Sequence, residues 1–362
     1  MTDLAGVLLV GGLGTRLRPL TVYTPKPMLP VGGVPFVAHQ LARLRDAGVR
    51  RVVLATSYRP EVFEGYLGDG SGMGVELDYA TEDEPLGTGG AIRNGVQRLA
   101  AGSSDPVVVL NGDVLSGHDV AGQVQLHRER DADVTLHLVR VADPRAYGCV
   151  PTDGHGRVTQ FLEKTPQPVT DQVNAGCYVF RRRVVDAIPA DRVVSVERET
   201  FPSLLASGAS VLGCVDDAYW LDLGTPEAFV TGSRDLVRGV VRSSAVPGQP
   251  GESLVLPGAV VDPTARVDGG SVVGAGARVA AGAFVRGSVL QDGVSVGPDA
   301  RVLDSVVGSG ARIGPRTVVD SAVVGDDADV GADCEITAGT RVWVGVTLPD
   351  RSVRRSDDDD DV

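Results

Sequence analysis

The chain has 362 residues, of which 43% are hydrophobic, and its formal net charge is −13. This length has room for two domains, and the hydrophobic fraction excludes wholesale disorder. An acidic body does not attract nucleic acid by its overall field, so an anionic partner would need a few placed cations. The sequence shows neither a basic leader nor an apolar run of about 18 residues. We therefore expect a cytoplasmic protein with no nucleic-acid partner and no membrane partner.

Up to about residue 236, short apolar runs alternate with amphipathic segments of helical length. The runs are LAGVLLV (4–10), RRVVLAT (50–56) and DPVVVLN (105–111), and VPFVAHQLARLRDAG (34–48) is a typical helical segment. This alternation predicts an α/β fold with a Rossmann-like, mostly parallel sheet wrapped by helices. Three later runs, ADVTLHLVRV, GRVTQFLEK and NAGCYVF, resemble strands of hairpins. The sheet of this domain, residues 1–236, is therefore predicted to be mixed.

The second half of the chain has a different period. Residues 237–253 are rich in Pro, Gly and Ser and are predicted to be a linker. Aliphatic residues then recur every six positions, at Val261, Val267, Val273, Val279 and Val285 and again at Val324, Val330, Ile336, Val342 and Leu348. This spacing predicts a hexapeptide-repeat parallel β-helix over residues 254–349, of the left-handed kind that such repeats form. Residues 350–362, which end in five aspartates, are predicted to be an acidic disordered tail.

The first apolar run ends in a loop rich in glycine and cations, LVGGLGTRLRPLTVYTPKPMLP (9–30). Ligands of open α/β sheets bind at the carboxyl ends of the strands, and glycine lets a ligand approach the backbone amides. Arg16 offers a planar cationic fork, and two prolines stiffen the backbone around Lys26. We interpret the loop as a polyphosphate site. The loop is not GxxxxGK[ST], because no Lys-Ser/Thr pair follows the glycines, and it is not a dinucleotide fingerprint, because Arg18-Pro19 interrupts the helix that GxGxxG would open.

GGLGTRLRPLT…PKPM resembles the signature of the nucleotidyltransferases that make nucleotide sugars. The resemblance continues through EPLGTGGAI (84–92), LNGD (110–113), YGCV (147–150), FLEK (161–164), NAGCYVF (174–180) and YWLDLGTP (219–226). It implies a nucleotidyltransferase domain followed by the β-helix, and a reaction that joins a nucleoside triphosphate to a sugar 1-phosphate with release of pyrophosphate. With the hexapeptide tail, the pattern implies GTP and mannose 1-phosphate as the favoured substrates. One departure is Thr165 after Glu163-Lys164, where the family commonly has proline.

The resemblance also implies roles for individual residues. Arg16, Lys26 and Lys164 would be catalytic, the first two on the β- and γ-phosphates and Lys164 on the sugar phosphate. Asp113 and Asp222 would hold Mg²⁺. The nucleotide would contact Gly11, Gly12, Gly14, Thr15, Glu84, Gly87, Thr88 and Asn111, and the sugar would contact Gly148, Glu163, Asn174 and Gly176. Glu163 and Lys164 fall on a predicted strand, so their side chains are expected on opposite faces.

Three alternatives remain beside this interpretation. The same reaction could act on another sugar or carbasugar 1-phosphate, such as a glucose, heptose or valienol type, or use ATP, UTP or dTTP, because specificity depends on few contacts. The chain could instead be a non-catalytic regulatory subunit. A β-helix that transfers acetyl groups is disfavoured, because the repeats contain no histidine to act as a base. The β-helix is expected to make the protein a homo-oligomer, and a cut near residue 240 is expected to leave the first domain folded.

Overall fold

A computed structural model describes residues 4–82, 84–99, 105–162, 164, 166–190 and 192–355. It divides into two compact units that do not coincide with the predicted domains. The first unit contains the chain up to Gly12 and Gln40–Trp220, and the second contains Leu13–His39 and the chain from Leu221 onward. None of the helices in the described part of the chain is long and apolar enough to cross a membrane.

Helices and strands alternate through the first 238 residues, as the sequence predicts. In chain order the elements are β1 Ala5–Leu9, β2 Pro30–Val31, β3 Val34–Pro35, α1 Phe36–Asp46, β4 Arg51–Thr56, α2 Pro60–Leu67, β5 Glu76–Thr81, α3 Gly87–Arg98, β6 Val107–Asn111, β7 Val114–Ser116, α4 Val120–Glu129, β8 Val134–Arg140, β9 Gln172–Phe180, α5 Arg182–Asp186, α6 Phe201–Ala206, β10 Val211–Asp216, β11 Trp220–Asp222 and α7 Pro226–Arg238. Helix α7 therefore extends two residues into the predicted linker.

The main sheet of the first unit is mixed, which confirms the predicted fold class. Its strand order is β10-β8-β9-β6-β1-β4-β5. Strands β1, β4, β5 and β6 run parallel, and β9 is antiparallel to both β6 and β8. The parallel strands are continuous aliphatic runs because helices cover both faces of such a sheet. Val7, Val53 and Val109 pack with Tyr178 and Phe180 in the resulting core.

The repeats form three parallel sheets of six strands each within the described residues. Their strands are β12 Ser253–Val255, β13 Val260–Val261, β14 Arg266–Asp268, β15 Ser271–Val273, β16 Arg278–Val279, β17 Phe284–Arg286, β18 Val289–Leu290, β19 Ser295–Val296, β20 Arg301–Leu303, β21 Val306–Val307, β22 Arg312–Ile313, β23 Val318–Asp320, β24 Val323–Val324, β25 Asp329–Val330, β26 Glu335–Ile336, β27 Arg341–Val342, β28 Thr347–Leu348 and β29 Val353–Arg354. Each strand pairs with the strand three positions later, so every coil has three sides. This arrangement confirms the predicted hexapeptide β-helix.

Stacked aliphatic side chains form the core of the repeats. On one side of the coils Val279 pairs in register with Val296, and Ile313 pairs with Val330. All four are buried and belong to one cluster. The single inward aliphatic residue of each hexapeptide therefore stabilises the repeats by removing apolar surface from water, at about 25 cal/mol per Å².

Two of the sequence predictions are wrong: the position at which the tail begins, and the strand predicted for GRVTQFLEK. The parallel strands continue to Val353–Arg354, which pairs with β26, so residues 350–355 are not part of a disordered tail. The rest of the predicted tail, residues 356–362, lies outside the described residues. Within the predicted strand GRVTQFLEK, the described residues 156–162 form isolated bridges rather than a strand, and Lys164 has a φ of +38°, which no extended strand allows.

The segment Leu13–His39 packs within the second unit, against α7 and the first coil. The amide of Gly32 donates to Ser233 Oγ at 3.0 Å, and His39 Nδ1 lies 2.7 Å from Ser243 Oγ. A Cβ placed on Gly33, whose φ is +86°, would come within 2.8 Å of Leu254. The segment that continues from the glycine-and-cation loop therefore packs against residues beyond position 240, where the sequence analysis expects that the first domain can be cut free.

Candidate active site

The loop after β1 folds tightly around Gly14. Gly14 has a φ of +60°, and Thr21 Oγ1 donates to its carbonyl oxygen at 2.8 Å. A Cβ on Gly14 would lie 2.8 Å from Lys26 Cβ, so only glycine lets the two ends of the loop approach this closely. Thr15 begins a short 3₁₀ turn, Thr15–Leu17, and its side chain is exposed. The loop thus holds Lys26 beside its glycines.

Arg16, Lys26 and Asp222 converge in the second unit. Lys26 Nζ is 3.9 Å from Asp222 Oδ1, and the two side chains are 10% and 26% exposed. A Cβ on Gly224 would lie 2.7 Å from Arg16 Nη2 and 3.1 Å from Asp222 Oδ1. Gly224 therefore leaves space for the guanidinium next to the carboxylate. Two cations and one carboxylate at the same place suit a phosphate chain with a divalent metal ion.

The first two glycines of the loop belong to the first unit. Ser57 Oγ donates to the carbonyl oxygen of Gly11 at 3.1 Å, and a Cβ on Gly11 would meet that hydroxyl oxygen at 2.8 Å. A Cβ on Gly12 would meet nothing within 4 Å. The backbone of Gly12 is thus open to a ligand in a way that the backbone of Gly11 is not.

Asp113 lies in the turn between β6 and β7, as the Asn-Gly pair before it predicts. The amide of Gly112 donates to the carbonyl oxygen of Leu9 at 2.8 Å. A Cβ on Gly112 would overlap the same oxygen, so this turn requires glycine. Asp113 is half-buried and follows directly. The turn therefore fixes a carboxylate at the end of a central strand.

Three of the four predicted sugar-binding residues lie together around β9. The amide of Asn174 donates to the carbonyl oxygen of Gly148 at 2.9 Å, and the amide of Gly176 donates to Asn174 Oδ1 at 3.2 Å. Asn174 Nδ2 donates to the hydroxyl of Tyr178 at 2.8 Å. Tyr178 is fully buried, and burial raises its pKa well above the usual value, so the phenol stays neutral. These bonds fix the orientation of the Asn174 amide.

Asn111, a predicted nucleotide contact, lies against the same group. Gly176 has a φ of +74°, and a Cβ on it would approach Asn111 Nδ2 to 2.8 Å. The register between β8 and β9 shifts at Leu136 and Leu138, opposite this glycine. The missing side chain of Gly176 leaves the space that the Asn111 amide occupies beside β9.

The segment Glu84–Thr88 leads into α3. Glu84 is exposed, and Gly87 has a φ of +74° at the first position of the helix. Thr88 Oγ1 donates to Glu197 Oε2 at 2.7 Å and accepts from the amide of Val196 at 2.9 Å. The Thr88 hydroxyl is thus engaged in holding the segment around residue 196, which sequence reasoning did not foresee.

The structure describes Lys164 but not its neighbour Glu163. Lys164 is exposed and lies in a bend, after an isolated bridge between Leu162 and Cys149. Glu163 and Thr165 lie outside the described residues. The expectation that Glu163 and Lys164 alternate on a strand is wrong for Lys164, because its left-handed backbone conformation breaks the alternation.

One polar cluster of the first unit has no counterpart in the sequence analysis. His118, His137 and Asp216 come together from three different elements, with ligand-type atoms within 4.8 Å of one another. No spacing or motif points to it, because His118 and Asp216 are 98 residues apart. Sequence periodicity reports only which face of an element is buried, not which buried polar side chains meet.

A mixed α/β sheet with a glycine-and-cation loop at the end of its first strand is typical of nucleotide-binding α/β proteins. Residues 5–239 match the nucleotidyl transferase family, and residues 250–360 match the family described as the GMPPB C-terminal domain. The chain belongs to the nucleotidyl transferase family.

Individual relatives agree with this assignment. The chain is 58% identical to a mannose-1-phosphate guanylyltransferase of Mycobacterium tuberculosis, across 97% of this chain and 98% of the relative. It is 39% identical to the mannose-1-phosphate guanylyltransferase catalytic subunit beta of Drosophila melanogaster, across 73% and 71%. Among solved structures, HddC from Yersinia pseudotuberculosis complexed with GMP-PN is 30% identical, with a TM-score of 0.54, across 64% of this chain and 98% of that one.

Proposed function

We propose that this protein transfers GMP from GTP to mannose 1-phosphate, giving GDP-mannose and pyrophosphate. The observation that carries the proposal is the 58% identity to a mannose-1-phosphate guanylyltransferase along nearly the whole of both chains. The convergence of Arg16, Lys26 and Asp222 supports the chemistry, because a triphosphate needs cations and a carboxylate-bound metal ion together.

Both substrates are anions, so the chain must mainly neutralise and align them. Arg16 and Lys26 are assigned to the β- and γ-phosphates, where negative charge develops as pyrophosphate leaves. Lys164 is assigned to the sugar phosphate, and its exposed position in a bend suits a side chain that closes on a ligand. The sugar phosphate oxygen would then attack the α-phosphorus in line.

A divalent cation, Mg²⁺ in this proposal, is assigned to Asp113 and Asp222. Each is a half-buried carboxylate at the end of a strand or in the turn that follows one, and carboxylate oxygens are the ligands that Mg²⁺ prefers. When bound, the ion would supply positive charge to the phosphate oxygens. The carboxylate of Asp222 also holds Lys26 nearby, which keeps the ammonium from folding away from the phosphates.

Sugar and base contacts are assigned by position. Asn174, with the backbone of Gly148 and Gly176, would bind the sugar hydroxyls, and Glu163 would accept from them. Gly12 offers the most open backbone for a nucleotide, and Gly11, Gly14, Thr15, Glu84, Gly87, Thr88 and Asn111 complete the proposed nucleotide set. Homo-oligomer formation through the β-helix is a further part of the proposal, because coil faces and ends suit subunit contacts.

The experiment is direct product identification. Purified protein is incubated with GTP, mannose 1-phosphate and Mg²⁺, and the products are followed by ³¹P nuclear magnetic resonance. We expect GDP-mannose and pyrophosphate in equal amounts, and we expect the Asp222→Asn variant to form them at least about 10²-fold more slowly. Asp217→Asn is the matched control, since Asp217 is an exposed carboxylate five residues away. A wild-type protein that forms no GDP-mannose would refute the proposal.

A further inference from the structure

Asp216, at the end of β10, collects hydrogen bonds from two buried histidines. Its Oδ2 pairs with His118 Nδ1, and its Oδ1 lies 2.9 Å from His137 Nε2. The amide of Ala218 also donates to Oδ1, at 3.2 Å. The two imidazole rings are stacked, with centroids 3.6 Å apart and planes 12° from parallel. One carboxylate thus joins the loop before α4, strand β8 and the chain after β10.

Hydrogen-bond partners lie at both ring nitrogens of His118. Gln123 Nε2 donates to the carbonyl oxygens of Thr135, at 2.9 Å, and of Cys177, so Gln123 Oε1 is the atom that faces His118. His118 Nε2 is 2.8 Å from this oxygen and must therefore donate to it. Its Nδ1 faces the Asp216 carboxylate. Both ring nitrogens of His118 therefore face an acceptor, and the buried imidazole pairs with the half-buried carboxylate of Asp216.

The electrostatics around Asp216 agree with this pair. Burial alone would raise the pKa of Asp216, but hydrogen bonds from His137 and His118 outweigh it and hold that pKa far below its usual range. His137 is buried as well, and burial lowers its pKa to about 4 despite its bond to the carboxylate. Asp216 is thus ionised and His137 is neutral at neutral pH, so the carboxylate is the acceptor of the bonds in this cluster.

The cluster is not arranged as a metal site. Nitrogen lone pairs lie in the plane of the imidazole ring, and the planes of His118 and His137 are nearly parallel and about a ring thickness apart. Both lone pairs therefore run side by side instead of meeting at one point 2.0–2.1 Å from each nitrogen, the distance that zinc requires. The geometry suits shared protons and not a shared ion.

His118 ends a short strap that begins at Asp113. The strap is residues 113–118, and its strand β7 is fully buried. The amide of His118 donates to Ser116 Oγ at 3.2 Å, and the amide of Gly117 donates to the carbonyl oxygen of Tyr219 at 2.8 Å. At the other end, Gln40 Nε2 donates to the carbonyl oxygen of Val114 at 2.7 Å. The strap is thus held at both ends, so the position of His118 limits the path that the chain takes from Asp113.

We propose that the His118–Asp216 pair is a positioning device that holds the strap, and with it the carboxylate of Asp113, in the geometry that binds the divalent metal ion. This inference rests on the proposed function, in which Asp113 is a metal ligand. Losing the pair leaves the metal-binding carboxylate in place but less well oriented. The cost falls on metal affinity and not on the chemical step at saturating metal.

The test compares two buried histidines. His118→Phe removes both hydrogen bonds, and His118→Asn keeps a donor near the position of Nδ1. His127→Phe is the matched control, because His127 is buried on the neighbouring helix α4 and its Nδ1 bonds only to Thr135 Oγ1, at 3.0 Å. We expect His118→Phe to raise the half-saturating Mg²⁺ concentration about tenfold with kcat within about threefold of wild type. His118→Asn should raise the half-saturating Mg²⁺ concentration about threefold. His127→Phe should lower Tm but leave the half-saturating Mg²⁺ concentration unchanged.

A second measurement does not depend on turnover. Mn²⁺ binding to the protein is followed by electron paramagnetic resonance for wild type, Asp113→Asn, His118→Phe and His118→Asn. The inference predicts that Asp113→Asn loses binding and that both His118 variants bind more weakly than wild type. If Asp113→Asn loses binding while the His118 variants match His127→Phe, the positioning role is refuted and the proposed function survives. Unchanged binding in Asp113→Asn refutes the proposed metal ligand and the inference with it. Stoichiometric zinc in wild type that disappears in His118→Asn would replace the inference by a metal site.

Discussion

Lys26 is one of only two lysines among 34 basic residues, and its surroundings explain why an arginine would not serve there. Its Cβ packs closely against Gly14, and its Nζ reaches to 3.9 Å from Asp222 Oδ1. An ammonium is a compact point charge with rotatable donors, whereas a guanidinium is wide, planar and fixed in its fork. A site that must place one charge between a carboxylate and phosphate oxygens therefore favours lysine.

We predict that Lys26→Arg lowers kcat/KM for the nucleoside triphosphate about 10²-fold, or about 2.7 kcal/mol of transition-state stabilisation. Thermal melting should change little, because the positive charge beside Asp222 is kept. The control is Arg140→Lys, an exposed arginine paired with Asp171, which should alter neither property. Steady-state kinetics with each substrate varied decide the question, and near-normal kinetics for Lys26→Arg would show that any cation suffices.

At the scale of an element, the loop after β1 combines glycines with different constraints. Gly14 has a positive φ and no room for a Cβ beside Lys26, whereas a Cβ on Gly12 would point into open space. Gly14 is thus required by the fold of the loop. Gly12 is required, in the proposed function, only when a nucleotide approaches the backbone.

Alanine substitutions separate these two requirements. Gly14→Ala should lower the free energy of unfolding by about 1–3 kcal/mol, because alanine is strained at this φ and collides with Lys26. Gly12→Ala should leave Tm within about 2 °C of wild type and raise KM for GTP at least about fivefold. Differential scanning calorimetry and kinetics provide the two readouts. A Gly12→Ala variant with normal KM would mean that the nucleotide does not approach this residue.

Elements with local signals could be predicted from the sequence, and those that depend on distant partners could not. The repeats were predictable because each hexapeptide supplies its own inward aliphatic residue, as at Val279 and Val296. The run ending in Lys164 has the composition of a strand, yet it finds only isolated bridge partners and bends at Lys164. Thr88 was expected to face a ligand, but Glu197, 109 residues away, engages its hydroxyl. In each of these cases tertiary structure, and not the local sequence, decides which partner the residue meets.

At the scale of the whole molecule, the repeats form one compact unit with part of the predicted first domain. Leu13–His39, which carries Arg16 and Lys26, belongs to the same compact unit as α7 and the coils. Ser243 contacts His39, and Leu254 covers Gly33, so these contacts come from residues after the predicted cut at 240. The composition of the linker predicted a separation that the packing does not show.

We therefore predict that a chain ending at Gly239 loses most of its activity and melts at a lower temperature than the full chain. A point variant tests the cause without removing the repeats. Leu254→Ala should destabilise the full chain by about 1 kcal/mol through lost apolar burial, while Val255→Ala, its exposed neighbour, should not. Calorimetry and kcat measurements on the three proteins provide the comparison. Full activity in the shortened chain would show that the loop folds without the coils.

Stability should also depend on pH through buried histidines. The pKa of His39 is lowered to about 4 by burial, against the effect of its bond to Val31, and burial lowers those of His127 and His137 to about 4 as well. The unfolded chain, with histidine pKa values near 6.5, then binds more protons than the folded chain between about pH 4 and 6.5. The buried histidines therefore make their full contribution to stability above about pH 6.5. The free energy of unfolding falls on acidification below that pH, by up to about 3 kcal/mol per histidine.

Chemical denaturation at pH 7.5, 6.0 and 5.0 measures this dependence. His39→Gln should flatten the profile, because one of the buried neutral histidines is removed. The exposed His155 gives the control, His155→Gln, whose profile should match that of wild type. A wild-type protein that is equally stable at pH 7.5 and pH 5.0 would contradict the burial of neutral histidines described above.

The most direct test of the proposed function is a competition in one tube. Wild-type protein receives equal concentrations of GTP, ATP, UTP and dTTP with equal concentrations of mannose 1-phosphate and glucose 1-phosphate, and mass spectrometry quantifies every nucleotide sugar formed at early times. The ratio of products equals the ratio of kcat/KM values for the competing substrates. We predict that GDP-mannose is the main product, at least about tenfold above any other. A main product with another base or with glucose would contradict the proposed specificity, and no nucleotide sugar at all would contradict the proposed activity.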